Sequence, residues 1–127
     1  MGAPLVMEMG TGVDIRGRDW TKAACRAVHN ALRHNSLSLA DAYGLPREAM
    51  RVEIVIGAGT PDSVDRDAVM AMLPYGEARI RVERGGMTTP ANDAGYGPIM
   101  ANAVLLVSLD GIAEAGTAED ETTENAA

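Results

Sequence analysis

The residues with the most chemical potential lie close together near the N-terminus, in Gly10-Thr11-Gly12-Val13-Asp14-Ile15-Arg16-Gly17, followed by Arg18, Asp19 and Lys22. Gly10 and Gly12 release the backbone from Cβ constraints just as a strand ends, so that backbone N–H groups can approach a ligand. A helix starting after Asp19 adds unpaired N–H groups and the positive end of its dipole, a natural anion site. Arg16, Arg18 and Lys22 supply positive charge. Asp14 and Asp19 supply carboxylates able to orient an arginine, accept a ligand N–H or act as a base. The expected ligand-binding set is therefore Gly10, Gly12, Asp14, Arg16, Gly17, Asp19 and Lys22, joined by the polar pair Asn35 and Ser36 at the far end of the helix. Any catalytic role would fall on Asp14, Arg16 or Lys22. The alternative is an ordinary tight turn in which Asp14 and Arg16 pair with each other. The dinucleotide fingerprint GxGxxG is not met, because Ile15 stands where its third glycine would fall.

Other chemistries find little support. His29 and His34 are five apart and do not share the i, i+4 face that a helical metal pair needs, so no metal is expected. Cys25 is the only cysteine, which excludes an internal disulfide and a CxxC site; it reads as an inert thiol beside the apolar stripe of a helix. There is no GxSxG elbow, SxxK or P-loop, and no cofactor is implied. Thr60, Ser63, Thr88 and Thr89 are loop hydroxyls without an identifiable base. Asn92-Asp93 and Tyr96 lie in a long loop suited to a lid or an interface.

The elements that must position these residues follow from periodicity. Leu5 to Met9 reads as a strand with Leu5, Met7 and Met9 on one face; the glycine-rich loop follows. Asp19 caps a helix over Trp20 to His34, with Ala24, Val28, Ala31 and Leu32 as its apolar stripe and Ala27 alongside. The connection to Pro46 holds a short helical turn around Leu39 to Tyr43. Arg51 to Ile56 is the clearest strand. Ser63 or Asp62 caps a second helix over Val64 to Leu73, stopped by Pro74-Tyr75-Gly76. Ala78 to Arg84 alternates strictly as a third strand, and Met100 to Leu109 is a fourth, apolar on both faces except at Asn102 and Ser108. The fold class is α+β (an α/β-type β-α-β-α-β-β order): a four-stranded sheet with two helices on one face. Residues 1–112 form the single domain and 113–127 an acidic, disordered tail.

Composition bounds the partners. The net charge is −7, but five acids and no base lie between Glu114 and the end, so the rest is nearly neutral. With no basic run, neither nucleic acid nor an anionic membrane is an expected partner. No segment is long enough to span a bilayer or to form a signal-peptide core, and a cytoplasmic location is the default. There is no Phe, and eight Met help to build a soft core, so oligomerisation is an attractive source of extra burial. The sheet face without helices would carry Glu8, Arg51, Glu53, Arg79, Arg81 and Glu83 with Val6 and Val55 among them. Such a face is either solvated or turned inward in an oligomer whose sheets surround a polar centre. The second reading, a trimer, is preferred because the fourth strand would expose Val and Leu in a monomer.

Gly10-x-Gly12-x-Asp14-x-Arg16-Gly17, then Asp19-x-Thr21-Lys22-Ala23-Ala24 and Asn35-Ser36, resemble a small family of hypothetical proteins from bacteria and plants known by a locus tag beginning "Lin", with the signature GxGxDxHG. The likeness runs on through Pro61-Asp62-x-Val64-Asp65, Pro74-Tyr75-Gly76-Glu77 and Gly85-Gly86, over about residues 5 to 109. Arg16 stands where the family pattern has His: a catalytic His would be lost here, whereas an anion contact would be kept. More distantly, the chain is similar to one repeat of the ring-opening amidohydrolases such as cyanuric acid hydrolase, whose repeats are arranged in threes with helices outside and sheets inside. Their Ser–Lys pair has no counterpart, since Lys22 is on the helix and Gly57-Ala58 replaces the serine position. Bacterial chorismate-mutase-type trimers look similar in fold only.

Three functions are consistent with these residues. The first is a homo-oligomeric binder of a small anionic or cyclic polar molecule at the glycine-rich loop, near a subunit interface. The second is a hydrolase or lyase of a cyclic amide or carboxylated small molecule, with Asp14 as base and Arg16 or Lys22 as electrophilic stabiliser. The third is a partner-binding module that uses the acidic tail.

Overall fold

Strict alternation of apolar and polar side chains gives this chain strands with one dry face, and an alanine-rich helix gives that face its cover. The structure is a computed structural model that describes residues 4, 6–34, 39–73 and 77–110; Asn35, Ser36, the Pro74-Tyr75-Gly76 turn and the expected tail lie outside the described residues. The elements are β1 (Val6–Asp14), α1 (Trp20–His34), α2 (Leu39–Ala42), β2 (Met50–Ala58), α3 (Arg66–Met70), β3 (Glu77–Arg84), β4 (Met87–Thr88) and β5 (Ile99–Leu109), with 3₁₀ turns at Arg47–Ala49 and Pro61–Ser63.

The sheet order is β1-β5-β2-β3, with β4 beside β5. β5 runs antiparallel to both β1 and β2, while β2 and β3 are parallel and joined through α3. The expected mixed α/β architecture is present, but with five strands. The extra one arises because Gly86, at φ 71°, turns the chain onto β5, pairing Met87 with Met100 and Thr88 with Ile99. A Cβ at Gly86 would collide with the Met100 carbonyl. β5 is central, which explains why it lacks a polar edge pattern.

One face of the sheet is dry. Met50, Val52, Ile54, Ile56 and Ala58 of β2 and Ile99, Ala101, Ala103, Leu105, Val107 and Leu109 of β5 are all buried there, beneath α1 and the buried Val69 of α3. α1 contributes Ala23, Ala24, Ala27, Val28 and Ala31, fully buried, with Trp20 at its start. Leu32, expected in that stripe, is only partly buried.

Gly10 and Gly12 are not in a loop. β1 continues through Asp14, and both glycines face α1 from inside it. A Cβ at Gly10 would strike the Ala27 carbonyl and the Ala31 amide; one at Gly12 would strike the Ala23 carbonyl and the Ala27 amide. Their absent side chains let helix and strand backbones touch.

Two further expectations change. The pairing of Val6 with Val107 turns Val6 and Glu8 toward the helix side, so Met7 and Met9 stand on the open face at 61% and 66% exposure. The second helix is shorter than expected and is capped by Asp65, whose Oδ1 accepts the Ala68 N–H at 3.2 Å. Thr21 decides this from a distance: its Oγ1 accepts the Asp65 N–H (2.9 Å) and donates to the Ser63 carbonyl (3.3 Å).

Replacing either packing glycine forces α1 away from β1 along its length. Gly10→Ala and Gly12→Ala are each expected to destabilise the fold by about 3 kcal/mol or more, beyond ordinary overpacking, because backbone rather than a flexible side chain blocks the methyl. Thr11→Ala, on the exposed face between them, should cost less than about 1 kcal/mol. Urea unfolding curves of the three variants check the contrast.

Candidate functional site

The turn from β1 into α1 is held by carboxylates. Asp14, the buried last residue of β1, accepts the Asp19 N–H on Oδ2 at 2.8 Å. Its Oδ1 lies 3.8 Å from the Arg26 guanidinium, which also donates to the Val13 carbonyl at 2.6 Å. Asp19 in turn caps α1, its Oδ1 accepting the Lys22 N–H at 3.1 Å. Gly17 folds tightly over this arrangement: a Cβ there would sit 3.3 Å from Asp14 Oδ2. Asp14 is thus a staple across the turn, and part of the anion-binding capacity expected of the helix N-terminus is taken up internally. Arg16 pairs with Tyr96 rather than with Asp14.

Arg18 occupies the left-handed region (φ 56°), uncommon for a residue with a side chain. Its guanidinium donates to the carbonyls of Thr89 (2.9 Å) and Gly97 (3.4 Å), tying this turn to the loop between β4 and β5. That loop is itself ordered: Thr89 donates its N–H (3.2 Å) and its hydroxyl (2.6 Å) to the Pro98 carbonyl. Asn92 Oδ1 accepts the N–H groups of Ala94 (3.0 Å) and Tyr96 (2.9 Å), and Gly95 turns at φ 85°. The result presents Tyr96 over the turn, with the Arg16 guanidinium 4.8 Å from its ring centroid. Gly59, at the end of β2, lies against Trp20 and Thr88 and completes the same end of the sheet.

A guanidinium held over an aromatic ring by a cation–π contact keeps its N–H donors for other partners, and a planar anion suits that fork. Among the described residues no hydrogen bond or ion pair takes those donors.

The structure brings Asp14, Arg16, Gly17, Asp19 and the start of α1, with Lys22, to the carboxyl end of β1. It sets Gly10 and Gly12 apart under the helix, and Asn35 and Ser36 are outside the described residues. Tyr96 and Arg18 are the residues that sequence spacing undervalued. The signal for Tyr96 in the sequence is an aromatic residue between two glycines in a long loop. His29 is exposed. Among the described residues no three His, Cys, Asp or Glu are placed to hold a metal, and no helix is long and apolar enough to cross a membrane. Cys25 is half-buried, its Sγ 3.8 Å from the Ala68 carbonyl, and burial, then Asp19 and Asp65, push its thiol pKa up.

Residues 4–121 match the family model described as conserved hypothetical protein (Lin0512_fam). No curated protein matches. Among solved structures, an FtsZ-like protein of unknown function from Nostoc punctiforme is similar: it shares 33% sequence identity and superposes with a TM-score of 0.69, over 84% of this chain and 97% of that one.

Two outcomes follow from the geometry. Asp14→Ala should destabilise the protein by about 1–3 kcal/mol, because it strips the Asp19 N–H and Arg26 of a buried acceptor, and thermal unfolding measures it. The raised thiol pKa lowers the thiolate fraction of Cys25 at any pH below it, so alkylation by iodoacetamide should be slower than for a free thiol, and its rate should climb with pH and level off at a higher pH than the free thiol's.

Proposed function

The chain belongs to the family of conserved hypothetical proteins Lin0512_fam, and from that premise we propose that it is a homo-oligomeric binding protein for a small anionic or cyclic polar molecule. The ligand is taken at the end of the sheet where the β1–α1 turn meets the β4–β5 loop. The observation that carries this reading is Arg16, exposed and held over the Tyr96 ring, on a turn tied down by the hydrogen bonds of Asp14 and Arg18. Binding sites in sheets of this kind commonly lie beyond the carboxyl ends of strands. Lys22 adds a second charge on the first turn of α1. Arg16, in place of the histidine of the family signature, suits a contact with an anion.

The same geometry favours binding over hydrolysis. A general base must reach the proton it takes, and one Asp14 oxygen already accepts a backbone N–H while the other faces Arg26.

Thermal unfolding in the presence of inorganic phosphate, succinate and barbiturate tests the proposal. At least one probe should raise the melting temperature of the wild type. Arg16→Ala should remove that rise while leaving stability without ligand within about 0.5 kcal/mol, as expected for a surface side chain. No rise with any probe, or an undiminished rise in Arg16→Ala, overturns the reading.

A further inference from the structure

The sheet has a second face that no element of the described chain covers, and it is divided lengthwise. Register places its side chains in rows across the strands. Met7, Leu106, Glu53 and Arg79 form one row; Met9, Val104, Val55 and Arg81 the next; Thr11, Asn102, Gly57 and Glu83 a third; Val13, Met100 and Met87 a fourth. The β1–β5 side is open and apolar except at Thr11 and Asn102, with Met7, Met9, Val13 and Met87 between 39% and 66% exposed. Across β2 and β3 the same face carries three arginines (Arg51, Arg79, Arg81) and three glutamates (Glu53, Glu77, Glu83). Methionines on an exposed sheet are costly to hydrate and adapt readily to an opposing surface.

We propose that this open face is where a second copy of the chain packs, sheet against sheet, about a two-fold axis crossing the strands between the Met9 and Thr11 rows. The inference deepens the assembly part of the function proposed above and rests on it.

Charge and shape single out a copy of the same chain. A face with equal numbers of arginines and glutamates on β2 and β3 has no excess charge to draw a polyanion or a basic partner, and its Arg81 and Glu83, on either side of the axis, complement those of a second copy. Reversing the row order about the stated axis sets Met7 of one copy opposite Val13 of the other, and Leu106 opposite Met100. It places Val55 over the Cβ-free position of Gly57. It also sets Arg81 opposite Glu83, each already paired within its own chain at 3.0 Å, so that four charges alternate. An isologous contact of this kind closes after two copies. It therefore replaces the threefold arrangement suggested by the sequence. Four rows across four strands cover about 20 Å by 20 Å, so the pair buries on the order of 1,000 Å², at the lower limit for a specific interface. A weak, concentration-dependent dimer is the consequence.

Sedimentation equilibrium of the full chain, from micromolar to millimolar concentration, reads this directly. The wild type should rise from the monomer mass toward twice that mass. Met9→Glu, at an exposed position, should raise the dissociation constant at least tenfold with an unchanged circular dichroism spectrum. Arg81→Glu should weaken the dimer, and the exchange Arg81→Glu with Glu83→Arg should restore it. A wild type that stays monomeric, a plateau at three times the monomer mass, an unaffected Met9→Glu, or an exchange that fails to restore the dimer overturns the proposal. The probe-induced melting shift is recorded on the same samples. A shift that persists in protein that never dimerises sinks the interface and leaves ligand binding standing. A dimer disrupted by Met9→Glu, in protein with no shift for any probe, sinks ligand binding and leaves the interface standing.

Discussion

The contact on which the rest of this structure depends is between two backbones. Gly10 and Gly12 on β1 face Ala23, Ala27 and Ala31 on α1, and the main chains meet with no side chain between them. A helix usually rides on a sheet at a distance set by branched side chains. Here small residues on both surfaces bring it closer, which gains dispersion along the whole contact and compensates for a core without phenylalanine. The larger residues, Ile54, Ile56, Leu105 and Val107, fill the central strands, where the helix is less closely applied.

That contact fixes where α1 begins, and so the geometry of the turn before it. With α1 held against β1, Asp19 arrives where the Asp14 carboxylate can accept its N–H, and Arg26, one helical turn and more along, comes near the other oxygen. Arg18 is driven into a left-handed conformation and spends its guanidinium on the facing loop. The cations of this turn left without an ion pair or side-chain hydrogen bond among the described residues are Arg16, over the Tyr96 ring, and Lys22. The glycine-rich signature thus holds two kinds of residue. Its first half is a packing device, and its second half is the turn that carries Arg16 to Tyr96.

The two sheet faces contrast for the same reason. Because all the helical cover is drawn to the side where the glycines are, methionines on β1 and the charged alternation of β3 are left on the other side. A one-residue change of register in β1 would reverse this, burying Met7 and Met9 and exposing the glycines to solvent. The glycines hold the register, since no other positions in β1 tolerate the helix so near.

The sequence by itself determined the order of the elements other than β4, the span of α1, the apolar face of β2, and the location of the β1–α1 turn. These follow from local periodicity and capping, which are properties of neighbouring residues. It carried the family as well, through short motifs in fixed order, from Asp14-x-Arg16-Gly17 to Gly85-Gly86. Only the tertiary structure decided which face of β1 is inside, because Leu5, Met7 and Met9 are more hydrophobic than Gly10 and Gly12, and hydropathy cannot register a position where a side chain must be absent. It also decided that Asp65 rather than Ser63 caps α3, through Thr21 on another element, and that Tyr96 meets Arg16 across eighty residues of chain. Hydrogen bonds and ring contacts between distant segments leave no periodic trace, so the turn between β1 and α1 could be seen from the sequence while its contact with Tyr96 could not.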